Sequence, residues 1–102
     1  MAILHTVNKS PFEKNSLETC LRIAAAGASV LLIEDGVYAA IDGTSLNGKL
    51  SDASNRLNFY VLGPDLIARG LSEGDLVDYV KVVDYEGFVD LVVEHDATHA
   101  CL

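Results

Sequence analysis

The sequence predicts an α/β fold: a three-layer α/β/α sandwich around a mostly parallel, Rossmann-like sheet of about four to five strands. Three observations predict it. Short apolar runs (AILHTV, ASVLLI, LNFYVL, VDYVKVV) alternate with segments that carry helix-start signals, the pattern of right-handed βαβ crossovers. The run ASVLLI is nearly unbroken in apolar residues, as suits a strand covered on both faces. Half of the residues are hydrophobic, yet only 7% are aromatic and none is Trp, so the core is aliphatic and suited to packed layers. At 102 residues, with no internal repeat or linker, the chain reads as a single domain spanning residues 1–102.

The elements follow in order. Residues 2–7 are the first strand, broken by NKSPF with its Asn8, Ser10 and Pro11. A helix comes next, with Asn15 or Ser16 as N-cap, Glu18 in the first turn and Gly27 as its stop. The second strand lies within residues 28–35, and DGVYAAID reads as a short helix capped by Asp35. Residues 43–56, GTSLNGKLSDASNR, are rich in Gly, Ser and Asn and read mostly as loop. Residues 57–63 are the third strand, and PDLIARG is a short helix with Pro64 at its first position. Residues 77–84 are the fourth strand. Asp84 caps a last helix, YEGFVDLVVEH, in which Phe88, Leu91 and Val92 share a face. The tail DATHACL is an edge strand or an interface arm.

Charge narrows the function. With 15 acidic against 7 basic residues, a net charge of −8, and its cations scattered, the chain is unsuited to direct nucleic-acid binding, which needs clustered Lys and Arg. No run approaches the ~20 apolar residues that span a bilayer. The start, MAILHTVNKSP, lacks the basic region and long apolar segment of a signal peptide, so a cytoplasmic location is expected. Two cysteines in such a chain point to reduced thiols, with a Cys20–Cys101 disulfide the less favoured alternative.

Ligands of open α/β sheets gather at the carboxyl ends of the strands. Those ends carry His5 and Thr6 before VNKSP, then Glu34-Asp35-Gly36, Gly63-Pro64-Asp65 and Asp84-Tyr85. No glycine-rich dinucleotide fingerprint or phosphate loop is present, and carboxylates stand where a phosphate would, so no cofactor is expected. Asp35 and Asp84 read as helix caps rather than an acid/base pair. Lys9 and Ser10 read as an exposed loop before a small-anion site. The tract HDATHAC gathers His95, Asp96, His99 and Cys101 at chelating spacing, but without a two-cysteine knuckle it is not assigned as a metal site. His5 reads as a hydrogen-bonded structural histidine, with a site role as the alternative because it lies near a strand end.

Cys20 is the candidate site residue. Leu17, Cys20, Leu21 and Ala24 follow the i, i+3, i+4, i+7 rule, while Glu18, Thr19 and Arg22 fall opposite. Cys20 therefore belongs to an apolar stripe, where a thiol behaves as a small hydrophobe and burial disfavours the reactive thiolate. It faces either the core or a subunit interface.

Three stretches carry a resemblance: ILHTVNKSPFEKNSLETCLRIAAAGASVLLIEDGVYAAIDGT, YVLGPDLIARGL and VDYEGFVDLVVEH. In this order and spacing they resemble the DsrH/TusB family from Ile3 to about His95, and the combination of LHT…SP, EDGVYAA and LGPDLIARG is what makes the match specific. The resemblance implies a DsrEFH-like fold and an accessory subunit of a cytoplasmic sulfur-relay complex. In that complex, DsrH associates with DsrE and DsrF (TusB with TusD and TusC) as a heterohexamer that passes persulfide sulfur between carrier proteins. The principal sulfur-accepting cysteine lies in the DsrE/TusD subunit, which leaves Cys20 at most a secondary thiol here. A cysteine at this helical position is a DsrH-type feature and implies sulfur oxidation; the TusB-type alternative is 2-thiolation of the wobble uridine of tRNA. Cys101 departs from the family, whose members commonly carry Trp near the C-terminus. Two further readings are a stand-alone thiol sulfurtransferase using Cys20 or Cys101, and an anion-binding module using VNKSP.

Overall fold

A computed structural model describes residues 2–102. Five strands form one sheet: β1 (Ile3–Val7), β2 (Ser29–Leu32), β3 (Asn58–Leu62), β4 (Val80–Val83) and β5 (Ala97–Cys101), in the order β4-β3-β2-β1-β5. Every pairing is parallel. The expected sandwich is thus present, and the tail is its fifth, edge strand.

The topology fixes which helix covers which face. From β1 the chain steps across the sheet to β4, so α1 (Ser16–Ile23), α2 (Asn47–Ala53) and α3 (Gly63–Ala68) lie on one side. It must then return to the far edge beside β1, and α4 (Tyr85–Glu94) makes that crossing on the other side. The two cores reflect this division. Leu17, Cys20, Leu50 and Leu66 pack with Val7, Val30, Leu32 and Val61 on the first face. Leu91 packs with Leu4 and Leu31 on the second, with Phe88 beside them. All four residues of β2 are buried, as the unbroken apolar run predicts.

Asp84 caps α4 as expected, its carboxylate accepting from the Gly87 amide at 2.8 Å, an interaction worth about 1 kcal/mol. Pro64 sits in the first turn of α3. Four readings need correction. Residues 43–56 hold a true helix, α2, whose sequence NGKLSDA conceals it: only Leu50 and Ala53 are buried, so tertiary packing overrides a weak propensity. Asp35 is not a cap. The segment Glu34–Ala40 is a 3-10 helix whose N-cap is Ile33, and Asp35 lies in its first turn, paired with Arg69 at 2.9 Å. Asn15 occupies the N-cap of α1 as expected, though without a side-chain hydrogen bond, but Gly27 is not the stop: the helix ends at Ile23, before the left-handed turn at Gly27 (φ +90°). Phe88 and Leu91 face inward, but Val92 is exposed.

Gly36 marks the tightest approach of backbones. The Ile33 amide donates to the Val7 carbonyl at 3.0 Å, and a Cβ on Gly36 would meet that carbonyl oxygen at 2.1 Å. The 3-10 turn can therefore seat on the end of β1 only if residue 36 has no side chain. Gly36→Ala is expected to cost about 3 kcal/mol, since neither backbone can yield without breaking sheet hydrogen bonds. Urea unfolding checks this; a midpoint equal to the parent's would show that the turn is free to move.

Candidate functional site

The site that emerges is built by α1, β1 and β5. Cys20 is fully buried on the inner face of α1, as its helical phase predicts. β5 runs parallel to β1 in a register that sets His5 opposite His99 and Val7 opposite Cys101. Because residues two apart share a face, His5, Val7, His99 and Cys101 all belong to the face beneath α1. Cys101 therefore meets Cys20, and the structure joins them in a disulfide with the Cα atoms 6.0 Å apart, within the roughly 4.4–6.8 Å that a bridge allows. This corrects the expectation of two separate reduced thiols. No free cysteine remains.

The histidines complete the cluster. His5 Nδ1 lies 3.1 Å from His99 Nδ1, the rings meeting edge to face at 5.2 Å. His99 Nδ1 lies 3.7 Å from Cys101 Sγ. Burial pushes the His5 pKa below its ordinary value, and the neighbouring His99 lowers it further. Cys101 and His99 also line an open cavity of about 280 Å³ together with Asn15, Thr19, Ile23 and Leu102. The cluster thus has a buried side (His5, Cys20) and an outward side (His99).

HDATHAC is split by the same geometry. His99 and Cys101 join this cluster, whereas His95 donates and accepts elsewhere: its Nδ1 lies 2.6 Å from the Leu91 carbonyl and its Nε2 2.8 Å from the Ser29 hydroxyl. The Asp96 carboxylate accepts from the Ala2 amide at 2.7 Å, fastening the start of β5 to the start of β1.

The strand-end carboxylates are occupied structurally. The Asp65 carboxylate accepts from the Glu34 amide at 2.6 Å, where Glu34 takes a left-handed φ of 49°, and Arg69 bonds both Asp35 and the Asp65 carbonyl. These contacts lock the EDG and PDLIAR segments together. The Ser10 hydroxyl accepts from the Phe12 amide at 3.3 Å, shaping a turn five residues before α1 rather than an anion cradle on its N-terminus. At the switch point between β3 and β4, where successive helices leave to opposite faces, the crevice is lined mostly by apolar side chains: Pro64, Ile67, Val82 and Val83 beside Asp84.

A second feature is an uncovered surface. Tyr85, Val89, Val92 and Val93 stand exposed on the outer side of α4, and Ile67 is exposed on α3. They follow the spacing i, i+4, i+7, i+8, a continuous apolar stripe with nothing packed on it. Among the described residues, no helix is long and apolar enough to cross a membrane.

The model of the family described as DsrH like protein matches residues 9–98. The chain belongs to the DsrH family. Curated relatives agree: it is 38% identical over 98 residues to Protein TusB of Shigella flexneri, covering 96% of this chain and 99% of that protein. It is 39% identical over 93 residues to Protein TusB of Pectobacterium parmentieri, covering 91% and 94%. Solved structures share the fold. The ychN protein from E. coli superposes with a TM-score of 0.83 over 98% of both chains at 17% identity. MTH1491 from Methanobacterium thermoautotrophicum, a protein of unknown function, gives 0.75 over 97% and 96% at 18% identity. The DsrH/TusB resemblance read from the sequence is thus correct in family and in fold.

The member of the site that sequence reasoning undervalued is Cys101. The signal for it was present: alternate residues of HDATHAC carry His99 and Cys101, so a strand there puts both on one face.

Proposed function

We propose that this DsrH-family chain is an accessory subunit of a cytoplasmic sulfur-relay assembly, docking with sister subunits of the DsrE/TusD and DsrF/TusC types in a heterohexamer that handles persulfide sulfur. Family membership over residues 9–98 is the observation that carries this reading. The exposed apolar stripe of α4 supports it, because a contiguous apolar face marks a surface that another chain can cover. Its most natural occupant is a sister chain of similar fold. Within that assembly Cys20 is at most a secondary thiol, and only once its bond to Cys101 is reduced: it is buried and disulfide-bonded, neither of which suits the main sulfur carrier. The same facts weigh against a stand-alone sulfurtransferase.

Two pathways use such assemblies. A cysteine at position 20 favours sulfur oxidation, whereas relatives named TusB at 38–39% identity favour tRNA wobble-uridine 2-thiolation. Expression in an Escherichia coli strain lacking TusB separates them. The sulfur-oxidation reading expects no recovery of 2-thiouridine in hydrolysed tRNA while the chain still co-purifies with its own E- and F-type partners. Full recovery would assign it to thiolation instead.

A further inference from the structure

We propose that His5, Cys20, His99 and Cys101 form a tetrahedral site for a zinc-class divalent ion once the Cys20–Cys101 bond is reduced. The inference stands apart from sulfur relay and rests on the meeting of α1, β1 and β5.

The distances carry the argument. With zinc–nitrogen bonds of about 2.0 Å and zinc–sulfur bonds of about 2.3 Å, the edges of a ligand tetrahedron are about 3.3 Å for N···N, 3.5 Å for N···S and 3.8 Å for S···S. His5 Nδ1 and His99 Nδ1 are 3.1 Å apart, and His99 Nδ1 and Cys101 Sγ 3.7 Å. The ligand atoms of His5, Cys20 and Cys101 all lie within 4.8 Å of one another. One nitrogen and two sulfurs thus converge, and the second nitrogen, of His99, stands at near-ligand spacing from His5 and Cys101. Two adjustments are needed: the sulfurs separate to their tetrahedral edge, and His99, which is exposed, swings toward Cys20.

The chemistry of the donors fits the ion. Thiolate and imidazole together select zinc over magnesium or calcium. Binding exchanges two thiol protons for one divalent ion, so two thiolates, two neutral imidazoles and the ion sum to zero charge, which a buried position tolerates where an isolated ion would not. His5 and His99 are paired in register on adjacent strands, a rigid half-site over which α1 lowers Cys20. The bound ion clasps edge strand β5 to β1 and α1, the role the disulfide fills in the oxidised chain. The two states exclude each other, since one pair of sulfurs cannot serve both.

The test uses the full chain. A phosphine reduces the bond, supplying two electrons and leaving as its oxide while both thiols gain protons; after its removal under nitrogen, Co²⁺ is titrated in. The proposal expects one equivalent of Co²⁺ to bind with tetrahedral d–d absorption and thiolate-to-metal charge transfer, and Zn²⁺ to displace it. The oxidised chain should show neither band. His99→Ala, at an exposed position that folding does not need, should weaken Zn²⁺ binding at least about tenfold, and Cys101→Ser should remove about half of the charge-transfer intensity. A reduced chain with two thiols titratable by Ellman's reagent and native circular dichroism, yet no cobalt bands, would overturn the proposal. So would a cobalt spectrum unchanged in both variants, which would place the ion elsewhere.

Discussion

Reduction of the Cys20–Cys101 bond in the presence of a metal chelator is expected to lower the stability of the folded chain by about 4 kcal/mol. The bond links residues separated by 81 positions, and closing a loop of that size removes about 4 kcal/mol of chain entropy from the unfolded ensemble. For a domain whose total stability is of order 5–15 kcal/mol, that is a large share, and it corresponds to a fall in Tm of ~20 °C. The bond also fastens the most vulnerable element. β5 is an edge strand with four of its five residues exposed, so without the bond it is held by its hydrogen bonds to β1, the His5–His99 contact and the contact of Asp96 with Ala2. Urea unfolding with and without phosphine measures the effect. Cys101→Ser should reproduce the loss and become insensitive to reductant. Equal midpoints for oxidised and reduced chain would show that no bond forms in solution.

The double substitution Val89→Glu with Val93→Glu is expected to abolish assembly with the sister subunits while leaving the isolated chain intact. Both valines are exposed, at 61% and 78%, and neither belongs to the cluster that seats α4 through Leu91 and Phe88. Surface changes of this kind alter folding stability by about 0.5 kcal/mol or less. In an interface the same carboxylates would be desolvated without partners, a cost of several kcal/mol, so association should weaken by more than about a hundredfold. Size-exclusion chromatography of the co-expressed subunits, with urea unfolding of the isolated variant, reads both halves. Undiminished assembly would mean that partners dock elsewhere.

The contrast between these two predictions reflects what the sequence can express. Strands β1 to β4 are legible because each is a compact apolar run, and β2 most of all because it is central. Helix α1 is legible from its stripe, which places Cys20 inward, and α4 from its cap at Asp84. Helix α2 is not legible: Gly48, Lys49, Ser51 and Asp52 carry no helical signal, and Leu50 with Ala53 act only once the sheet lies beneath them. The 3-10 turn is hidden for a related reason. Asp35 looks like a capping residue, but Arg69 holds it and Asp65 holds the Glu34 amide, and that proximity exists only after folding. The candidate site was legible residue by residue and not as a site. His5 and His99 are 94 positions apart, and only the placement of β5 beside β1 brings them together. That placement follows from topology, because a last strand that returned beside β4 would have left Cys101 far from Cys20. His95 and His99, close in sequence, are parted because His95 ends α4 and turns toward Ser29 beneath the other face.

The proposed function has this chain work as one member of an assembly and present the outer side of α4 to a sister subunit. Native mass spectrometry of the chain co-expressed with DsrE- and DsrF-type partners decides this. Expected is a single large species containing all three polypeptides, with little of this subunit left at its monomer mass of 10.9 kDa. A persistent monomer in the presence of equimolar partners would contradict it.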